Sequence, residues 1–180
     1  GLFKATENLG TTIAAVEFAN EPNMIGLTQP PQDYSPGDYR RDYARFYQWV
    51  KRTSPDTLIL APGAVEMGQP MRTLATQFSG RDYFQPAKLL TPDSPRLDAV
   101  SFHYYGASSL RCHIPLVGSK PSNAHDAKWI AGIDDGIHRS ALLRDRVAPG
   151  VPLWDTGSGE TACGGNPWAS TFSDTFRFLD

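Results

Sequence analysis

The sequence alternates between short apolar runs of β-forming residues and longer segments with helical periodicity. Strands are predicted at about 13–20, 57–61, 97–105 and 151–156, and helices at 35–54, 69–78, 124–146 and after residue 166. Strands that alternate with helices and read as mostly apolar favour a parallel sheet covered by helices. The order therefore predicts an α/β fold.

The number of these units suggests which α/β fold it is. Four strand–helix units are about half of an eight-stranded (β/α)8 TIM barrel, which typically needs about 250 residues. The chain has 180 residues and stops where a further connecting loop is expected. We therefore expect one domain, a partial catalytic barrel over residues 1–180, rather than an open α/β domain.

Composition excludes several classes of function. A net charge of -2 and a pI of about 6.1 give no attraction to nucleic acid or to an anionic membrane surface. No apolar run approaches the roughly 20 residues of a membrane span. The four histidines lack metal-ligand spacing, so neither a metal nor another cofactor is expected. The two cysteines, Cys112 and Cys163, could pair or remain two buried thiols.

The first strand ends in the motif AVEFANEPN, over residues 15–23. A buried strand that stops at Asn-Glu-Pro places a carboxylate at its carboxyl end, where the active site of a parallel barrel lies. Glu21 is therefore the candidate general acid/base, and Asn20 could hold a substrate hydroxyl. The alternative is that both residues only cap the following turn. Glu17, in mid-strand, is predicted to be a buried hydrogen-bonded acid.

Polar residues also follow the other predicted strands. His103 and Tyr105 share one face of the third strand because side chains alternate, and Glu66 and the segment 155–160 follow the second and fourth strands. Carboxyl, amide, imidazole and phenol groups together suit a sugar. Glycoside hydrolysis normally needs two carboxyl groups, and Glu21 is one of them.

Three motifs together resemble clan A glycoside hydrolases, most closely the heparanase and β-glucuronidase-like family 79. They are AVEFANEPN, SFHYY (101–105), and VPLWDT followed by ACGGNPWA (151–156 and 162–169). The resemblance implies a retaining β-glycosidase of which this chain holds about barrel strands 4 to 7. It implies that Glu21 is the acid/base, that Asn20 contacts the substrate and that Tyr105 supports the nucleophile. It favours a secreted or extracellular protein that takes an oligosaccharide or glycoside.

The sequence departs from the family where the nucleophile is expected. Three residues after Trp154 the family has a glutamate, but this chain has Gly157. The glycine could be engineered or a natural loss of activity. Alternatively Glu160 is the nucleophile, because Gly-Glu-Thr also resembles the family's nucleophile motif; this would need a bulge in the glycine-rich segment 157–165.

Three further interpretations stay open. Residues 157–162 match a loose G-x-G-x-x-A dinucleotide fingerprint, which would make the chain an oxidoreductase if a helix opened directly from the glycines. A non-catalytic carbohydrate-binding relic of the barrel would keep the pocket without the chemistry. His103 could be a substrate ligand or a buried rim histidine. Because a half-barrel exposes two sheet edges, we also expect either self-association or a complementary part of the barrel as a partner.

Overall fold

The computed structural model of the chain describes residues 1–28, 30, 31, 33–67, 83–110, 120–122, 127 and 131–172. Four strands form one parallel sheet in the order β1-β2-β3-β4. The strands are β1 (Ala15–Glu17), β2 (Leu58–Met67), β3 (Ala99–Ser108) and β4 (Leu153–Ala162). The helices are α1 (Leu2–Asn8), α2 (Ile25–Thr28), α3 (Pro36–Thr53) and α4 (Gly132–Val147), with a 3-10 turn at Pro86–Lys88.

The sheet curls into a half-barrel, which is consistent with part of a TIM-like barrel. The predicted parallel α/β sheet is therefore confirmed. Three predicted helices fall wholly or partly outside the described residues: the one at 69–78, residues 124–126 and 128–130 of the one at 124–146, and residues 173–180 of the one after residue 166. Cys112 also lies outside them. Cys163 is disulfide-bonded.

Helix α3 forms where its sequence signals predict it. Ser35 and Asp38 make a reciprocal capping box, and Pro36 occupies the first turn, where its missing N–H costs nothing. Tyr39, Tyr43 and Val50 are fully buried. They pack with Ile59, Leu89, Leu90 and Val100 in the main core, between the sheet and the helices.

Strand β2 is longer than the predicted 57–61. The sequence suggested that Pro62-Gly63 would stop it, yet the strand continues to Met67 through an irregularity between Pro62 and Ala64. A proline is tolerated at a bulge because no ladder hydrogen bond is required there. The Gly63 N–H donates instead to Ser101 Oγ at 3.0 Å.

Strand β4 overturns the prediction of a glycine-rich loop from residue 157. Residues 153–162 form one strand, and its pairing with β3 shifts between Phe102 and His103. Gly157 and Gly159 lie opposite His103 and Tyr105, so the missing side chains leave room for two large rings. Because no helix opens at these glycines, the dinucleotide fingerprint loses its structural basis.

Helix α4 packs on the outer face of β2 and β3. Its buried residues are Gly136, Ser140 and Leu143. Gly136 lies against the Tyr104 ring, where a Cβ atom would come within 3.2 Å of Cδ2. Tyr104 therefore points outward, opposite to His103 and Tyr105, as the alternation of side chains predicts. Within the described ranges, no helix is long and apolar enough to cross a membrane.

Candidate functional site

The loop after β1 is fixed by the buried side chain of Asn23. Its amide nitrogen donates to the Val65 carbonyl and its oxygen accepts from the Val65 N–H, both at 2.9 Å. The Glu21 N–H donates to the Gly63 carbonyl at 2.9 Å. Glu21 itself has a φ of 50°, in the left-handed region that residues other than glycine seldom occupy. Sequence reasoning singled out Asn20 and Glu21, whereas Asn23 is the residue of the motif that holds the loop to β2.

Strand β3 brings His103 to Glu21. His103 Nδ1 lies 3.0 Å from Glu21 Oε1, and the histidine is 3% exposed. The other ring nitrogen, Nε2, lies 3.4 Å from Glu17 Oε2, which is an ion-pair contact without the alignment of a hydrogen bond. Burial lowers the pKa of His103, but the polar contacts with Glu17 and Glu21 and the negative charges of both carboxylates outweigh this effect and raise the pKa to about 9. At neutral pH His103 is therefore an imidazolium ion between two carboxyl groups.

Glu17 is the second carboxyl group at this histidine. Burial raises its pKa, but the polar contact with His103, hydrogen bonds with Ser101 and Thr156, and the charge of His103 together leave the pKa below its ordinary value. Thr156 Oγ1 donates to Glu17 Oε1 at 3.0 Å. The structure thus finds the hydrogen-bonded acid that the sequence predicts, with its side chain 20% exposed.

Gly63 explains why the β2 bulge is needed beside Glu17. Its φ is 64°, and a Cβ atom there would come within 2.6 Å of Glu17 Cδ. Only glycine combines this conformation with so close an approach. The bulge therefore makes the space in which the Glu17 carboxyl group reaches His103.

Tyr105 contacts Glu21 from the same face of β3. Burial, the charge of Glu21 and a hydrogen bond with its carboxylate raise the pKa of Tyr105 to about 12, with a smaller contribution from Asp155. The phenol therefore stays protonated at neutral pH and can donate to Glu21. The structure in this way brings together three of the residues that the sequence singled out, Glu21, His103 and Tyr105.

Position 157 is not an open place for a catalytic side chain. A Cβ atom on Gly157 would come within 2.8 Å of both Cγ and Nδ1 of His103. The ring is held between two carboxyl groups and has little freedom to move aside. At Gly159 a Cβ atom would make an ordinary contact with the Tyr105 ring at 3.6 Å. A side chain at position 157 would therefore have to displace the His103 ring, and whether Gly157 stands where a nucleophile was lost stays a prediction.

Three other residues that the sequence analysis named are Asn20, Glu160 and Glu66. Asn20 is exposed in the loop after β1, and its contact with a substrate stays a prediction. Glu160 belongs to β4, but its side chain lies outside the described residues, so its role as the nucleophile also stays a prediction. Glu66 is buried on the outer face of the sheet, where its Oε2 accepts from Arg139 Nε on α4 at 2.7 Å. It therefore does not belong to this site.

The arrangement is suited to proton transfer and hydrogen bonding. Groups of three or more possible metal ligands do not occur among the residues that the structure covers. The carboxyl group of Glu21 has a cationic donor and a phenol as neighbours, and its side chain is 20% exposed. Such a group can exchange a proton with a bound molecule while its orientation is fixed.

The comparisons with known proteins concern the fold. No protein-family model and no curated protein matches the sequence. The chain is similar to the structure of a family 44 glycoside hydrolase, an endoglucanase from Clostridium thermocellum, with a TM-score of 0.54, 16% identity, and coverage of 89% of this chain and 39% of that chain. For a family 44 endoglucanase from Clostridium acetobutylium the TM-score is 0.52, with 15% identity and coverage of 84% and 36%. For a Paenibacillus polymyxa family 44 xyloglucanase it is 0.50, with the same identity and coverage.

At 15% to 16% identity these likenesses show the fold alone. The chain spans 36% to 39% of the length of these enzymes. All three belong to glycoside hydrolase family 44, so the resemblance to family 79 stays a prediction. The half-barrel that carries Glu21, His103 and Tyr105 has a glycoside hydrolase-like fold.

Proposed function

We propose that this chain is part of the catalytic barrel of a retaining β-glycosidase in which Glu21 is the acid/base. The observation that carries the proposal is the meeting of Glu21, in the loop after β1, with His103 and Tyr105 on β3. The glycoside hydrolase-like fold supports it. Glu21 would protonate the leaving oxygen and then activate the water that completes hydrolysis.

His103 then acts on Glu21 rather than on the substrate. Both its ring nitrogens face carboxyl groups, and the side chain is 4% exposed, so little of it can contact a sugar. With one Glu21 oxygen held by the imidazolium, the carboxyl group keeps one orientation. In this proposal His103 is a positioning residue, and Asn20 is the residue left to contact the substrate.

The mechanism also needs a second carboxyl group as the nucleophile. Gly157 has no carboxylate, and His103 occupies the space that a side chain would need there. Of the two sequence candidates, we therefore retain Glu160. The substrate expected from the family 79 resemblance is a β-glucuronide. The Paenibacillus polymyxa structure was determined with xyloglucan, which adds a neutral β-glucan as a second substrate to test.

Release of nitrophenol from aryl β-glucuronide, β-glucoside and β-xyloside tests the proposal, together with xyloglucan hydrolysis. Replacing a general acid typically costs about 10²- to 10⁴-fold in rate, and we expect this for Glu21→Gln. The loss should be larger for xyloglucan than for an aryl glycoside, because the sugar is a poorer leaving group and depends more on protonation. Glu7→Gln, on the exposed face of α1, changes the charge equally and should have no effect.

The variants at the two nucleophile candidates complete the experiment. We expect Glu160→Gln to abolish turnover and Gly157→Glu not to increase it. If Glu21→Gln slowed the hydrolysis of xyloglucan and of the aryl glycosides equally, a structural role would explain the loss, and the assignment of Glu21 as the acid/base would be wrong.

A second candidate function is a carbohydrate-binding relic of the barrel. It is favoured by one observation, the glycine at position 157 packed against His103. A relic would bind glycosides in equilibrium titrations but turn over none of them. Binding without turnover, unchanged by Glu21→Gln, would select this function.

A further inference from the structure

A pocket lies on the helical layer, and its lining does not include Glu21 or His103. It is an open cavity of about 400 Å³ between the start of α3, the 3-10 turn and the end of α4. Three of its lining residues are cationic, namely Arg40, Lys88 and Arg146. The described part of its lining includes no carboxylate. The pocket therefore concentrates positive charge in a chain whose net charge is -2.

The two arginines are held in place by the backbone of the 3-10 turn. Arg40 donates to the Lys88 carbonyl, and Arg146 donates to the carbonyls of Ala87 and Leu90. A guanidinium group has five N–H donors, so these bonds leave others for a ligand. Because both guanidinium groups are already held in place, binding a ligand would cost little further side-chain entropy.

The acids nearest in sequence do not neutralise these cations. On α3, Asp38 and Asp42 bind Arg41 rather than Arg40, and Arg45 also contacts Asp42. On α4, Asp145 binds Arg144 through Nη2 at 2.8 Å rather than Arg146. Across the described ranges no ion pair includes any of the three pocket cations. Their mutual repulsion would be relieved by a bound anion.

We propose that this pocket binds a small molecule with a phosphate or sulfate group. Two guanidinium groups and one ammonium group suit a tetrahedral oxyanion, and arginine matches its geometry with paired donors. The volume is in the range of small-molecule sites and exceeds that of an inorganic anion. The apolar wall, Pro36, Leu90 and Pro92, lies where the carbon part of the ligand would pack.

An NMR titration of the full chain tests this proposal with glucose 6-phosphate, glucose 6-sulfate and glucose at constant ionic strength. We expect both charged sugars to shift the backbone amides at the 3-10 turn, and glucose to shift none. The stronger of the two charged ligands identifies the anionic group. Lys88→Ala removes an exposed side chain and should weaken binding about two- to fivefold, the size of an exposed ion pair.

Lys4→Ala is the matched control, since it removes an exposed lysine on α1, outside the pocket lining. It should leave the affinity unchanged. Equal weakening by both lysine variants would mean a general charge effect and would overturn the proposal. Equal binding of glucose, or no shift with either charged sugar at tens of millimolar, would overturn it as well.

Discussion

The buried charge of His103 makes the stability of the fold depend on pH. The pKa of His103 rises from an ordinary value of 6.5 to about 9, and Glu17 and Glu21 are its partners. Because the folded-state pKa lies above the unfolded value, the stabilisation is fully present below about pH 6.5 and is lost as the pH rises through about 9. The full shift corresponds to about 3 kcal/mol. Both carboxyl side chains are 20% exposed, so solvent screening should reduce the effect to about 1–2 kcal/mol.

Replacing His103 by glutamine removes this titration while it keeps a polar side chain of similar size. We would measure the free energy of unfolding of both proteins by urea denaturation, followed by circular dichroism, at pH 6 and pH 10. At pH 6 the free energy of unfolding should be higher for the unmodified chain than for His103→Gln, and this difference should be smaller at pH 10 by about 1–2 kcal/mol. His138→Gln, at an exposed histidine on α4, should show no such change. A difference between the chain and His103→Gln that is equal at both pH values, or that grows with pH, would refute the ionic account of this cluster.

Two further predictions concern packing and the loop after β1. Gly157→Ala should destabilise the fold by about 1–3 kcal/mol because its Cβ atom would press on the His103 ring, whereas Gly159→Ala should be close to neutral. Thermal unfolding of the pair checks this, and equal effects would contradict it. Asn23→Ala should cost about 2 kcal/mol or more, because it leaves the N–H and carbonyl of Val65 buried without partners. Urea denaturation measures it, and a change below about 0.5 kcal/mol would argue against this role.

Local sequence signals predicted the elements whose formation depends on nearby residues. Ser35, Pro36 and Asp38 are typical helix-start residues and they cap α3, and Tyr39 and Tyr43, four residues apart, lie on the face that the helix buries. The alternation along β3 correctly placed His103 and Tyr105 on one face and Tyr104 on the other. These features follow from helical and strand periodicity, which the sequence carries directly.

The predicted ends of β2 and β4 were wrong because contacts with residues distant in the sequence override the local preference for a turn. Pro62-Gly63 and the glycines of β4 are typical of turns, yet both segments are strands. Gly63 is needed because Glu17 approaches it, and Gly157 because the His103 ring lies over it. No local pattern contains these reasons, since each partner is about 46 to 54 residues away in the sequence.

Some features of the candidate site could likewise be predicted from the sequence, whereas others depend on tertiary contacts. The sequence by itself determined the parallel α/β order and selected Glu21, which lies in the Asn-Glu-Pro motif that follows β1. Only the tertiary structure decided that His103 is a cation held by Glu17 and Glu21, and that it fills the place of a side chain at position 157. The physical reason is that charge state and available space depend on how neighbouring strands are aligned, and the register shifts in β2 and β4 set that alignment.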